Sequence, residues 1–199
     1  MLLLLLSFTY DERLKKIEQT KSSISVTGGE FFDILSPENS EYSIDVVATA
    51  LSNLCRYTGH VVRFYSVAEH CVLVSRIVPP RFALEGLLHD ASEAFVGDVS
   101  SPLKKLLPDY QKIEDNIQAD IARRFNLEYP FPECIHKADK QLYWSERKVI
   151  APAVDALWNK EFRASKKVEP QGWTPARAKR EFLKRFEELK DNGQYRKAA

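Results

Sequence analysis

The sequence predicts an all-α helical bundle with a small N-terminal β-hairpin. Three observations carry that prediction. From Ser43 onward, apolar residues recur at spacings of three and four, the period of a half-buried helix. Those runs are punctuated as helices are, with Ser43, Ser66 and Thr174 placed to cap, and Pro102, Pro132 and Pro175 at first helical positions. Near the N-terminus, Gly28-Gly29 is a turn signal between the short runs 22–27 and 30–35, which can pair as a hairpin. With 199 residues, no internal repeat and no shift in composition, the chain suits one domain, its core over about 43–150 and a C-terminal helix over about 174–190.

The first helix starts at Ser43 and packs through Ile44, Val47, Ala48, Leu51 and Leu54, with Gly59 as its stop, so Arg56 and Tyr57 fall in its last turn. Ser66-Val67-Ala68-Glu69 reads as a capping box opening a helix to Val78, where Pro79-Pro80 ends it. That helix is apolar at Val67, Val74, Ile77 and Val78, yet carries His70. A third helix spans Phe82 to Phe95 and turns at Val96-Gly97-Asp98. Ser101-Pro102 opens a short helix, Leu103 to Leu107, bearing Lys104 and Lys105 as solvated charges. Pro108 to Phe125 is amphipathic through Ile113, Ile117, Ile121 and Phe125, with a charged opposite face. Pro132 starts a helix to about Val149, striped by Ile135, Ala138, Leu142 and Val149, with Asp139 beside the stripe. The stretch 151–172 is irregular. Thr174-Pro175 then caps a helix to about Lys190 that packs through Ala178, Phe182 and Phe186, and 191–199 is a frayed tail.

A hydrophobic content of 44%, a charged content of 29% and a net charge of +1 describe a globular, soluble chain with no electrostatic support for binding a nucleic-acid polymer. The apolar run at Met1–Leu6 is too short for a membrane span and lacks the features of a signal peptide, so it reads as a packing segment and the protein as cytoplasmic, without a membrane partner. Cys55, Cys71 and Cys134 are scattered and odd in number, which argues for reduced thiols.

The chemistry gathers around Leu87-Leu88-His89-Asp90-Ala91-Ser92-Glu93-Ala94, where an imidazole and two carboxylates interrupt an apolar helical run. On a helix, His89 and Glu93 are four apart and Asp90 and Glu93 three apart, which places them on one surface. Charge beside a core face is costly unless neutralised, and a divalent cation would neutralise it. His70, His89, Asp90 and Asp139 offer two imidazoles and two carboxylates from three helices. That mixed set suits one divalent transition metal, Co, Mn, Zn, Fe or Ni, better than calcium. Arg56 has two readings, complement to a helix dipole or a fork for phosphate.

The order His70, His89-Asp90, Asp139 resembles the H…HD…D signature of the HD-domain phosphohydrolases. The longer runs Arg56-Tyr57-Thr58-Gly59-His60, Phe64 to His70, Leu88 to Ala94 and Gly97 to Lys104 are similar to its 5′-deoxynucleotidase branch, in the small forms carried by prophages and phages, which include phage dATP triphosphohydrolases. The resemblance covers about 44–148. It implies an HD-domain bundle in which His70, His89, Asp90 and Asp139 hold one metal. It also implies that Glu93 positions or deprotonates the attacking water, that Asp98 is a second acid near the leaving oxygen or sugar, and that Arg56 binds phosphate, with Tyr57 beside it and Lys104 as a second positive contact. The implied activity is release of phosphate from deoxynucleoside 5′-monophosphates. Release of triphosphate from dATP or another dNTP is the alternative, and a nucleotide-binding regulator with little turnover is a second one. A homo-oligomer, dimer or larger, is implied too, in the host cytoplasm if phage-encoded. His60 and His136 read as structural. With His136 alone between the HD pair and the last Asp, the pattern argues for one metal rather than two.

Overall fold

Gly28 and Gly29 take φ of 104° and 85°, a backbone open to glycine at little cost, and the chain reverses there. This computed structural model describes residues 21–151 and 168–190. Strands β1 (Ser23–Ser25) and β2 (Phe31–Asp33) pair antiparallel, with Ile24 opposite Phe32. Phe32 is fully buried and stacks on Phe95 at 3.7 Å, and Tyr42 meets both rings edge-on. The hairpin is thereby fixed to the segment that carries Glu93. The N-terminal run at 1–6, the tail at 191–199 and most of the irregular stretch at 151–172 lie outside the described residues.

The remainder is helical: α1 (Ile44–Asn53), α2 (Val67–Ile77), α3 (Ala83–Leu88), α4 (Glu93–Val96), α5 (Ser101–Lys104), α6 (Pro108–Phe125), α7 (Glu133–Val149) and α8 (Pro175–Leu189). Helix α2 is the centre, buried along nearly all its length and packed on α1, α3, α7 and α8. The approach of α3 is close at Gly86, where a Cβ would sit 3.1 Å from Ser75 Cα and 3.0 Å from Val78 Cγ2. The absent side chain lets the backbone carrying His89 come near that carrying His70. No helix among the described residues is long and apolar enough to cross a membrane.

Three elements depart from the sequence expectation. Helix α1 ends at Asn53 rather than at Gly59, because Leu54 turns extended and the next residues pair with the entry to α2. Arg56 N–H donates to Tyr65 O at 2.9 Å, Val67 N–H donates to Leu54 O at 3.1 Å, and Cys55 bridges Ser66. Arg56 and Tyr57 therefore lie in a loop, which turns through Tyr57, Thr58 and Gly59 at φ of 58°, 54° and 80°. The expected Phe82–Phe95 helix is broken between α3 and α4, across His89 to Ser92. The capping box is half made: Ser66 Oγ accepts Glu69 N–H at 3.1 Å, but the Glu69 carboxylate turns away. It accepts instead from the backbone N–H groups of Gln171 (2.7 Å), Gly172 (3.1 Å) and Trp173 (2.5 Å). A smaller shift concerns α5, which starts at Ser101, with Ser100 as its cap, and ends at Lys104.

Candidate metal centre

His70 projects from the first turn of α2, fully buried, and its ring meets His89 from the end of α3. The two Nε2 atoms are 3.3 Å apart. Asp90 Oδ2 lies 3.2 Å from His89 Nε2 and 3.5 Å from His70 Nε2, and Asp139 Oδ1 on α7 lies 3.2 Å from His70 Nε2. The sequence-predicted quartet thus converges on one point. Ligand atoms of His70, His89 and Asp139 all lie within 4.8 Å of one another, as do those of Cys71, His89 and Asp90.

The far nitrogens decide what that point can hold. His70 Nδ1 is 2.6 Å from Glu146 Oε1, and His89 Nδ1 is 3.1 Å from Gly86 O. A carboxylate and a carbonyl only accept, so each Nδ1 carries the proton and donates. In the neutral rings both Nε2 lone pairs then face each other and two carboxylates. Such a set of acceptors is unfavourable without positive charge between them. Protons can supply that charge. Burial and Arg56 push the His70 imidazole down, but Glu146 and the hydrogen bonds to Asp139 and Glu146 lift it to about 9. Burial also opposes the His89 imidazolium, and Asp90 and Asp139 lift it to about 9. Burial works against the Asp90 carboxylate, yet His89, His70 and Arg56 hold it well below the usual range. A site that draws protons this strongly into a set of nitrogen and oxygen donors could bind a metal ion, and the bonds from both Nδ1 atoms are of the kind that fix ligating histidines. Cys71 is the weaker donor, since burial and Asp90 push its thiol up.

The other predicted residues take distinct places. Arg56 Nη1 is 3.7 Å from Asp90 Oδ2 and its Nη2 is 3.5 Å from Glu146 Oε2, so the guanidinium borders the cluster. Among the described residues its Nε is buried without a hydrogen-bond partner. Glu93, at 5% exposure, has a buried Oε2 that likewise finds no hydrogen-bond partner among the described residues. Burial, then Asp90 and Asp98, push its carboxyl well above the usual range. Asp98 is raised as well, by burial and by Asp90. Tyr57 donates its hydroxyl to Glu146, and Arg56 lies 5.5 Å from its ring centre. Lys104 is paired and partly exposed: its Nζ is 2.7 Å from Glu114. His60 and His136 are exposed.

Glu146 is the residue that sequence reasoning missed. Fully buried, it joins His70, Tyr57, Arg56 and Tyr65, whose hydroxyl donates at 2.8 Å. Burial opposes its charge, but Arg56 and His70 hold the carboxyl down to about 2. The available signal was its spacing, seven residues or two helical turns beyond Asp139.

No family model matches the chain. It is 34% identical over 172 residues to "Uncharacterized protein YfdR" of Escherichia coli (strain K12), spanning 85% of this chain and 97% of that protein. An uncharacterized protein of Rhodobacter capsulatus is 32% identical over 122 residues, 56% of this chain and 62% of that one. The match to the Escherichia coli protein is nearly end to end, and this chain belongs to the YfdR family.

Proposed function

We propose that the protein is a metal-dependent phosphohydrolase that removes phosphate from deoxynucleoside 5′-monophosphates. The observation that carries this is the acceptor cluster of His70, His89, Asp90 and Asp139 beside a buried arginine and a buried glutamate whose Oε2 finds no hydrogen-bond partner among the described residues. His70, His89, Asp90 and Asp139 would hold a divalent ion, which would supply charge withdrawal from a phosphoryl oxygen and a more nucleophilic water. The chain's own groups do the remainder. Arg56 offers planar donors to phosphate oxygens and stabilises the charge that develops on them. Glu93 takes up or delivers a proton, and burial and the neighbouring carboxylates, which raise its pKa, favour the form that carries one. Asp98 stands beside it as a second acid. Glu146 holds His70 on one side and Arg56 on the other, which ties the orientation of a ligand to that of the phosphate donor.

The choice of a monophosphate over a triphosphate rests on the resemblance of the runs 56–60, 64–70, 88–94 and 97–104. Lys104, paired with Glu114, also interacts with the charges of Glu93 and Asp90 and would add a second positive contact.

A product assay tests the reading. Protein loaded with Co, Mn, Zn, Fe or Ni is incubated separately with dAMP and dATP. The expected products are inorganic phosphate and deoxyadenosine from dAMP, with dATP untouched and Asp90→Ala inactive. Deoxyadenosine and triphosphate from dATP would replace the proposal with a triphosphohydrolase. Nucleotide binding without turnover under every metal would replace it with a regulator.

A further inference from the structure

The break between α3 and α4 has a specific cause. In an unbroken helix the Ser92 N–H would donate to the Leu88 carbonyl, four residues back. The side-chain amide of Gln118, from α6, occupies both ends of that bond: Ser92 N–H donates to Gln118 Oε1 at 3.1 Å, and Gln118 Nε2 donates to Leu88 O at 3.0 Å. The orientation of the amide is fixed by its partners, because a backbone N–H only donates and a carbonyl only accepts. Gln118 is 5% exposed and lies next to Ile117, which is fully buried. A polar side chain is placed there at a desolvation cost that these two bonds offset.

With its α-helical bond replaced, the chain closes shorter ones. Ala91 N–H donates to Leu88 O at 3.1 Å, Glu93 N–H to Asp90 O at 3.1 Å and Ala94 N–H to Ala91 O at 3.2 Å. Each is an i→i+3 bond, and in 3₁₀ geometry side chains three apart eclipse. On an α-helix Asp90 and Glu93 would be rotated apart by about 60°. The tighter winding of these bonds instead brings positions 90 and 93 toward one line along the segment.

We propose that Gln118 is a positioning residue: by wedging open the Leu88–Ser92 hydrogen bond, it holds the ligand Asp90 and the acid–base Glu93 in register over the metal centre. This rests on the metal-site reading above. Gln118→Met keeps the shape and removes both bonds, freeing Ser92 N–H to close on Leu88 O as continuous helix.

The test uses cobalt alone as a probe, followed by turnover. Wild type and Gln118→Met are titrated with Co²⁺ by calorimetry and by visible absorption, then assayed with dAMP. The expected result is a loss of cobalt affinity of fivefold or more with an altered absorption envelope. The accompanying fall in kcat should be 10- to 100-fold with KM within twofold, since Arg56 is untouched. If Gln118→Met does not fold, Gln118→Asn, whose amide is one methylene short, should give the same losses. A folded variant with wild-type cobalt affinity, spectrum and kcat overturns the proposal. If wild type binds cobalt yet does not hydrolyse dAMP, the functional reading falls, and the cobalt affinities alone decide the role of Gln118.

Discussion

Glu93 and Glu146 are both buried carboxyls near the same cluster, and their surroundings drive them in opposite directions. Glu146 faces Arg56 and His70 and is held to about 2, whereas burial and two carboxylates push Glu93 up. The first is a permanent anion that orients its neighbours; under the proposed function the second would change protonation during turnover. Conservative amide substitutions separate the two roles. Glu93→Gln should leave cobalt binding intact and lower kcat by about 10²–10⁴-fold, the span of a general acid–base contribution. Glu146→Gln should weaken cobalt binding by about 10–100-fold, as loss of an outer-shell partner does, because His70 Nδ1–H would then face a neutral acceptor. Calorimetric titration and steady-state rates on both variants check the pair. Equal metal affinities in the two variants would contradict the division of labour.

At the scale of elements, Glu69 shows how a local motif is redirected by a distant one. Its spacing from Ser66 is right for a capping box, but three backbone N–H groups at Gln171, Gly172 and Trp173 converge on its carboxylate. Gly172, at φ 74°, is held there against Arg63, where a Cβ would meet the Cδ at 2.8 Å. The carboxylate thus fixes the entry to α8 against the N-terminal turn of α2, which carries His70. Glu69→Gln sets an NH₂ group against donors that need acceptors. It should cost about 1–3 kcal/mol of stability, the penalty for buried polar groups left unpaired, read by urea denaturation. A change under about 0.5 kcal/mol, the range of an ordinary surface substitution, would show that the clamp holds nothing. The same contrast explains what the sequence made legible. Helices α6, α7 and α8 begin at or just after Pro108, Pro132 and Thr174-Pro175 as expected, because their signals are local. The end of α1 and the break at His89–Ser92 were not legible, since Tyr65 and Gln118 decide them from other elements. The four candidate ligands could be read as polar groups on apolar stripes. Glu146 could not, because a glutamate between Ser145 and Arg147 looks like any surface residue until Arg56, Tyr57 and Tyr65 arrive around it.

For the whole molecule, the cluster links folding to protons and, under the proposed function, to a metal ion. The His70 and His89 imidazoles rise from an ordinary 6.5 to about 9 in the folded, metal-free protein. A raised folded-state pKa means that folding takes up protons, so this contribution to stability is complete below about pH 6.5 and is lost as pH rises through about 9. Metal-free protein should therefore melt at progressively lower temperature between those limits. Metal binding runs the other way, since ligands must shed protons before they coordinate. The two Nε2 atoms are 3.3 Å apart, so a proton on one opposes a proton on the other, and between one and two protons should leave per ion bound. The logarithm of the cobalt association constant should then rise by about one to two per pH unit between pH 6.5 and 9, before the histidines are fully deprotonated. Metal added at pH 8.5 should restore the melting temperature that the metal-free protein has lost. Paired thermal melts with and without cobalt, from pH 6 to 9, measure both slopes at once. A metal-free stability that is flat across this range, with a cobalt affinity independent of pH, would mean that the imidazoles are already neutral and that the cluster does not exchange protons for a metal.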